Sequence, residues 1–330
     1  GREVELTHGR FLRFMESPVR AVRQAAFEAL YTTYGKFRNT LAAAYASSVK
    51  KDVFYARARR YPSARAMALA DTNVPESVYD NLVATVNKNI SSLHRYMRLR
   101  RKLLNVDELH MYDIYTPMVP EVDKKISYGE AVETILKALA PLGEEYCEVA
   151  RRGMTTDRWV DIYENVGKRS GAYSFGAYTT KPFILMNYQD NFDSMFTLAH
   201  ELGHSMHSYF SRRHQPYHYA DYTIFVAEVA STFNEALLTH YLLQQTTDPK
   251  LRMYIINHQL ETFRTTLYRQ TMFAEFEHIT HQRVEQGEAL TADVLNEIYS
   301  DLNKKYYATE GMVIDALIAL EWARVPHFYG

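Results

Sequence analysis

The residues with the clearest capacity for chemistry lie in the segment 198–205, LAHELGHS, which contains an H-E-x-x-H pattern. In a helix, residues four apart differ by about 40° around the axis, so His200 and His204 can reach one ion. Glu201 projects beside them and can accept a proton from water at the metal without binding the metal. With 13 His in 330 residues, chance produces such a string on the order of 0.03 times per chain. The pattern predicts one catalytic zinc ion, Zn2+, per chain.

A catalytic zinc requires a third protein ligand and one open position. Metzincins have Gly and His at the positions that His207 and Phe210 occupy here, which excludes that family. His207 lies about 10.5 Å along the helix axis from His200, too far for three His to share one ion. The third ligand must therefore come from another segment, and packing or support of a ligand is the better interpretation for His207.

Two carboxylates in the segment 226–237 are candidates for this site. Glu228 and Glu235 are seven residues apart and share one face of a predicted helix. The opposite face is apolar and consists of Val226, Val229, Ala230, Phe233 and Leu237. If Glu228 binds the metal, Glu235 can orient a ligand His through its ring N–H. The spacing alone leaves open that each is an ordinary solvated Glu.

The elements that position these residues are predicted to be mainly α-helical. The H-E-x-x-H helix has an apolar stripe of Met195, Leu198, Leu202, Met206 and Tyr209, which predicts packing on the side away from the two His. The texture becomes β-rich between 157 and 189, where three short strands are predicted. We expect residues 1–156 to form a helical scaffold and residues 157–330 to form the zinc-binding catalytic part.

Composition restricts the classes of partner. Lys and Arg number 38 and Asp and Glu number 39, so the net charge favours neither nucleic acid nor an anionic membrane. A single cysteine, Cys147, offers no internal disulfide and no Cys-rich metal site. No apolar run approaches the roughly 20 residues of a membrane span. These features predict a cytoplasmic protein whose metal is held by His and carboxylates.

Beyond the metal pattern, the sequence resembles oligoendopeptidase F, in the thimet oligopeptidase and neurolysin group of zinc metallopeptidases. The resemblance is carried by EVELTHGR (3–10), LHMYD (109–113), GKRSGAY (167–173), FTLAHELGHSMH (196–207) and ALEWAR (319–324). It implies that His200, His204 and Glu228 bind zinc and that Glu201 is the general base. It also favours Glu235 as the residue that supports a ligand.

Further site residues follow from the resemblance or remain open. The resemblance implies that His327 stabilises the tetrahedral oxyanion and that Tyr329 contacts substrate. Tyr173 and Tyr178 suit a substrate loop, although aromatic packing explains them equally well. The strand 182–187 around Ile184 is either an edge that pairs with a substrate backbone or a buried strand of a sheet.

The resemblance implies a bowl-shaped zincin fold with a small β-sheet beside the active-site helix. It implies a zinc-dependent endopeptidase that hydrolyses internal bonds of short unfolded oligopeptides and selects them mainly by length. The family continues past both ends of this sequence, so we expect a fragment of a longer chain. The alternatives are a zinc-binding but catalytically weak fragment and a helical interaction module.

Overall fold

Helices occupy most of the chain, as the spacing of its apolar residues predicts. The computed structural model describes residues 4–119 and 125–329. Its α-helices are α1 His8–Met15, α2 Arg20–Lys36, α3 Arg38–Ala58, α4 Ala64–Ala70, α5 Glu76–Lys88, α6 Ile90–Leu103, α7 Tyr128–Ala138, α8 Glu144–Met154, α9 Phe192–His214, α10 Ile224–Gln245, α11 Pro249–Thr262, α12 Arg269–Glu285 and α13 Ala292–Tyr307. Short 3-10 turns cover 111–113, 140–142, 217–219, 316–324 and 326–329, and a π-helical segment covers 263–268. The expectation of a mainly α fold is confirmed.

Five short strands form two small sheets: β1 Leu109–His110, β2 Val160–Asp161, β3 Tyr173–Phe175, β4 Phe183–Leu185 and β5 Met312–Val313. β1 pairs with β5 in parallel. The other sheet has the order β2-β4-β3, with β4 parallel to β2 and antiparallel to β3. Its three strands lie where the β-rich texture predicted them, and its central strand is β4.

The contacts divide the chain into two units, each with a core of its own. The first unit contains residues 1–120 and 260–330. Its core is rich in aromatic rings, for example Tyr45, which stacks on Phe276 and also contacts Trp322. Buried ion pairs connect segments that are far apart in sequence, as between Arg23 and the fully buried Asp113.

The second unit contains residues 121–259 and is built around α9. The predicted apolar stripe of α9 is buried, because Met195, Leu198, Leu202 and Met206 are each at most 1% exposed. α7, α8 and the three-stranded sheet pack on this helix. Among the helices of both units, as far as the structure describes them, none combines the length and apolar composition of a membrane span.

One stretch that the sequence predicts as a single helix is divided in the structure. Apolar spacing after Pro75 predicts one helix as far as Leu104, but the helix is broken at Asn89, whose backbone is not helical and whose side-chain amide donates to the Thr85 carbonyl. The predicted boundary between a scaffold part and a catalytic part, at residues 156 and 157, stays a prediction.

The units defined by contacts have other boundaries. Residues 260–330 pack with the first 120, and residues 121–259 form the second unit.

Candidate metal centre and active site

The candidate site is built on α9, whose N-terminus is set by local hydrogen bonding. The Asn191 side chain accepts a hydrogen bond from the Ser194 backbone N–H at 2.9 Å and caps the helix. With one face of α9 buried in the core, His200 and His204 lie on the other side and are partly exposed. The helix therefore presents both imidazoles to an accessible surface of the second unit.

α10 approaches α9 very closely at Gly203. A Cβ added to Gly203 would lie 2.6 Å from the Ala230 carbonyl oxygen and 2.6 Å from the Ser231 Cα. The buried Asn234 amide also donates to the Ala199 carbonyl of α9, at 3.1 Å. Only glycine permits this contact, which brings the N-terminal half of α10 against the His-bearing part of α9.

The close crossing brings Glu228 to the two His side chains. The Nε2 atoms of His200 and His204 are 3.2 Å apart, and Glu228 Oε2 lies 3.3 Å from the first and 3.4 Å from the second. Three ligands around one tetrahedral zinc ion, each at about 2.0 to 2.2 Å, are separated by about 3.3 to 3.6 Å. The donor set and its spacing thus fit one zinc ion. Among the described residues, this is the one cluster of three such ligands.

Two further side chains orient these ligands. His200 Nδ1 donates to Glu235, which leaves Nε2 free to face His204 and Glu228. Burial lowers the pKa of His200, but the hydrogen bond and charge of Glu235 outweigh it, and the pKa lies above its usual value. For His204, burial prevails and lowers the pKa. The Ser231 hydroxyl donates to Glu228 Oε2 at 2.6 Å and holds that carboxylate toward the His pair.

Glu201 has the environment of a proton acceptor. Its side chain is buried, and its Oε2 has no hydrogen-bond partner within 4–119 and 125–329, the residues that the structure describes. Burial raises the pKa of Glu201 above its usual value, and the charge of Glu228 adds to this effect, whereas His200 and a hydrogen bond from the Ser174 backbone N–H act against it. Glu201 also lines a cavity of about 550 Å³, together with Ala172 and Met186 among others. Glu201 thus borders a cavity that is open to solvent.

The substrate-strand hypothesis for Ile184 is wrong. Ile184 is 1% exposed and belongs to β4, which pairs with β2 on one side and with β3 on the other. Because both edges of β4 are occupied by other strands, it has no free edge to accept a peptide. The free edge nearest to Glu201 belongs to β3, which contains the half-exposed Tyr173. The buried-strand interpretation is the one that the sheet topology supports.

The other residues predicted to contact substrate or the oxyanion are Tyr178, His327 and Tyr329, and they lie in both units. Tyr178 donates to the Gln215 carbonyl at 3.1 Å and packs edge-on against Tyr217. His327 and Tyr329 belong to the first unit, in the 3-10 turn 326–329. His327 is exposed, and the Tyr329 hydroxyl donates to the Ala323 carbonyl. Their roles in chemistry or substrate binding stay predictions.

Sequence reasoning missed the residues that act through packing. Gly203 and Ser231 carry no motif of their own, and only the crossing of α9 and α10 shows what they do. The apolar face predicted for α10 was also wrong, because Val229 and Phe233 are 62% and 52% exposed while Leu238 is buried. The available signal was the small residue at 203, between the two His residues of the H-E-x-x-H pattern, since small residues allow two helices to approach closely.

Similarity to known proteins extends over nearly the whole chain. The family model described as peptidase family M3 matches residues 13–330. Oligopeptidase PepF of Bacillus subtilis is 57% identical over 329 residues, which is 100% of this chain and 49% of that protein. Group B oligopeptidase PepB of Streptococcus agalactiae is 49% identical over 100% of this chain and 54% of its own length. The chain therefore spans about half the length of these curated relatives.

Solved structures match the fold as well. A peptidase from Chlamydophila abortus has a TM-score of 0.90 at 41% identity, over 100% of this chain and 55% of its own. Oligoendopeptidase-F from Enterococcus faecium has a TM-score of 0.77 at 42% identity, over 99% of this chain and 51% of its own. Because the family model covers nearly the whole sequence, this chain belongs to peptidase family M3.

Proposed function

We propose that this chain carries the catalytic centre of a zinc-dependent endopeptidase that hydrolyses internal bonds of short, unfolded oligopeptides. The observation that carries the proposal is the spacing of His200, His204 and Glu228, whose ligand atoms lie 3.2 to 3.4 Å apart beside the buried carboxyl group of Glu201. This is the donor set of a hydrolytic zinc site with one position left for water or substrate. The relatives named as oligopeptidases support the same reaction class.

The side chains of this centre divide the work. His200, His204 and Glu228 would hold the ion, and zinc bound there supplies a Lewis acid toward the scissile carbonyl and lowers the pKa of water. Glu201 accepts a proton from the attacking water and returns it to the leaving amine. Its raised pKa suits this exchange, because the protonated form is easier to reach near neutral pH. Glu235 keeps the His200 ring in the tautomer that presents Nε2.

The substrate side of the proposal rests on β3 and the cavity beside it. The free edge of β3 at Ser174 lies next to Glu201, so an extended peptide that pairs there has its backbone at the catalytic base. Only an unfolded segment can add to a strand in this way. Restriction to short peptides and oxyanion stabilisation by His327 are parts of the proposal taken from the resemblance. A cytoplasmic location is the part taken from the composition.

The test combines metal analysis with an internally quenched peptide of about ten residues. We expect one zinc per chain, cleavage that a chelator abolishes and zinc restores, and loss of zinc in His204→Ala, because two ligands cannot retain the ion. Full zinc occupancy in His204→Ala would refute the ligand assignment. Zinc binding with negligible cleavage would support the weak-fragment alternative, and a chain that binds no zinc would support the helical interaction module.

A further inference from the structure

A second cavity of about 310 Å³ lies in the same unit, on the other side of Ser174. It is lined by Ser174, Phe175, Gly176, Ser208, Arg212, Ala220, Asp221 and Tyr222. The Ser174 backbone lies beside Glu201, and the Ser174 hydroxyl lies 2.7 Å from the Ser205 hydroxyl. β3 therefore leads from the proposed catalytic base directly into this cavity.

The cavity wall contains Arg212, which has no counter-ion among the residues that the structure describes. Arg212 Nη2 donates to the Gly176 carbonyl at 2.7 Å, whereas Nη1 is buried and has no hydrogen-bond partner in the part of the chain that the structure describes. No carboxylate of that part forms an ion pair with Arg212, although its neighbour Arg213 pairs with Glu145 at 2.9 Å. Arg212 lines the cavity, and its charge is balanced by no described group of its own unit, which makes the guanidinium a candidate site for an anion.

Two hydroxyl groups lie beside Arg212 in this cavity, and a glycine leaves space for its guanidinium. The Tyr222 ring stacks on His207 at 3.6 Å between centroids, and its hydroxyl lies 3.0 Å from the Ser208 hydroxyl. These two hydroxyls line the same cavity as Arg212. A Cβ at residue 176 would lie 2.8 Å from Arg212 Nη1 and 2.9 Å from the Lys181 carbonyl oxygen, and this backbone contact favours glycine beside the guanidinium. Asp221 is exposed on the wall and makes no ion pair with the arginine.

We propose that Arg212 binds a carboxylate of the peptide substrate and is thereby a specificity-determining residue. The inference rests on the proposed peptidase function. Planar guanidinium groups bind carboxylates through two parallel hydrogen bonds. Of the Ser208 and Tyr222 hydroxyls, the one that accepts in their mutual hydrogen bond can donate its own proton to the same carboxylate. Ser174 and Gly176 are two residues apart, or about 7 Å along a strand. The bound carboxylate therefore belongs to a position about two to four residues from the cleaved bond.

Two sources of carboxylate fit this chemistry. A peptide that pairs antiparallel to β3 has its N-terminal side toward Gly176, and it places an Asp or Glu side chain at Arg212. A peptide in the parallel direction places its C-terminal carboxylate there. Antiparallel pairing is slightly more stable per residue, which favours the acidic side chain.

The experiment measures binding and cleavage separately. The probes are fluorescein-labelled ten-residue peptides whose other side chains are neutral. Each peptide carries one Glu, and a matched peptide carries Gln at the same place; the position is moved along the series. Every peptide is made with a free and with an amidated C-terminus. Binding is measured by anisotropy on the zinc-loaded chain carrying Glu201→Gln, and cleavage positions are read by mass spectrometry with unsubstituted Glu201. We expect about 10- to 100-fold tighter binding of the peptide with Glu at the correct position. A preference that disappears on C-terminal amidation identifies the terminal carboxylate instead.

Arg212→Met should abolish this preference, Arg212→Lys should retain part of it, and Arg213→Met should leave it intact. Zinc content and thermal unfolding verify that each variant is folded. If Arg212→Met does not fold, the partial loss of preference in Arg212→Lys is the test. Equal affinity for Glu and Gln peptides at every position and with both termini, or a preference that survives in Arg212→Met, would overturn the inference. Carboxylate-dependent binding without cleavage of any peptide would instead overturn the proposed peptidase function and leave Arg212 as a carboxylate site.

Discussion

At the scale of single residues, the site depends on carboxylates with different tasks. Glu228 faces two Nε2 atoms, Glu235 accepts from the far side of the His200 ring, and Glu201 is buried beside them. The same type of side chain is thus proposed as a ligand, as an orienting group and as a proton acceptor, according to its surroundings. Each role gives a different result on substitution.

Replacing Glu201 separates chemistry from metal binding. We expect Glu201→Gln to retain one zinc per chain and to lose peptide hydrolysis by at least about 10² to 10⁴-fold, since an amide cannot accept the proton. Parallel metal analysis and quenched-peptide assays measure both properties. If zinc disappears together with activity, Glu201 is a ligand or a structural residue and the proposed role is wrong.

Replacing Glu235 tests the orientation of His200. In Glu235→Ala the His200 ring loses its acceptor at Nδ1, so we expect zinc affinity to fall about 10- to 100-fold while the fold persists. Competition with a fluorescent chelator measures the affinity. Glu145→Gln, which alters an exposed carboxylate of the same unit, is the control and should bind zinc like the unsubstituted chain. Unchanged affinity in Glu235→Ala would contradict the orienting role.

At the scale of elements, the crossing of α9 and α10 decides whether a third ligand is present. Gly203 has no space for a methyl group, because the α10 backbone lies 2.6 Å from the point that a Cβ at this residue would occupy. We expect Gly203→Ala to push α10 outward, which lowers thermal stability and weakens zinc binding together because Glu228 moves with α10. Differential scanning fluorimetry and chelator competition measure the two effects.

The control for Gly203→Ala is Gly129→Ala in α7. A Cβ at residue 129 meets nothing within 4 Å, and alanine is the better helix former, so this variant should be neutral or slightly more stable. Wild-type zinc affinity in Gly203→Ala would show that the close crossing does not position Glu228.

At the scale of the whole molecule, buried ionic groups join distant parts of the first unit. Glu261 accepts hydrogen bonds from Arg100 on α6, from Arg264 and from Tyr96, and the two Arg side chains are only 1% and 2% exposed. Burial would raise the pKa of Glu261, but the two guanidinium groups outweigh it and lower the pKa to about 2. The carboxylate thus connects residues that are far apart in the sequence.

Removing this carboxylate should destabilise the first unit in a pH-dependent way. Glu261→Gln leaves two buried Arg side chains without their counter-ion, so we expect the free energy of unfolding near pH 7 to fall by about 3–5 kcal/mol. The ordinary pKa is 4.5 and the folded value is about 2. The stabilisation is therefore fully present above the ordinary pKa and is lost as the pH falls through the folded value.

Urea denaturation at about pH 7 and about pH 3 tests this dependence. The difference in free energy of unfolding between Glu261→Gln and the unsubstituted chain should be smaller at the acidic pH. At about pH 3 the ionised carboxylate of the folded chain contributes only part of the stabilisation that it contributes at about pH 7. Asp301→Asn removes a surface ion pair with Lys304 and should change stability by less than about 1 kcal/mol. A difference that is the same at both pH values would contradict the assigned pKa.

Part of this protein follows from the sequence alone. The helix geometry of about 3.6 residues per turn places His200, Glu201 and His204 together without reference to any distant residue. The same local rule predicts most helices, and the β-rich texture predicts the three strands, because backbone conformation and side-chain periodicity depend on near neighbours. The resemblance then pointed to Glu228, for which spacing alone left the solvated alternative open.

The tertiary structure decided what depends on contacts between distant segments. The position of Glu228 relative to the His pair requires the close crossing at Gly203. The unbalanced charge of Arg212 is visible only where α9 meets the end of β3. The burial of β4 between two strands and the packing of residues 260–330 with the first 120 are of the same kind. Such pairings are selected by the packing of whole elements, and no local pattern in the chain specifies which surfaces meet.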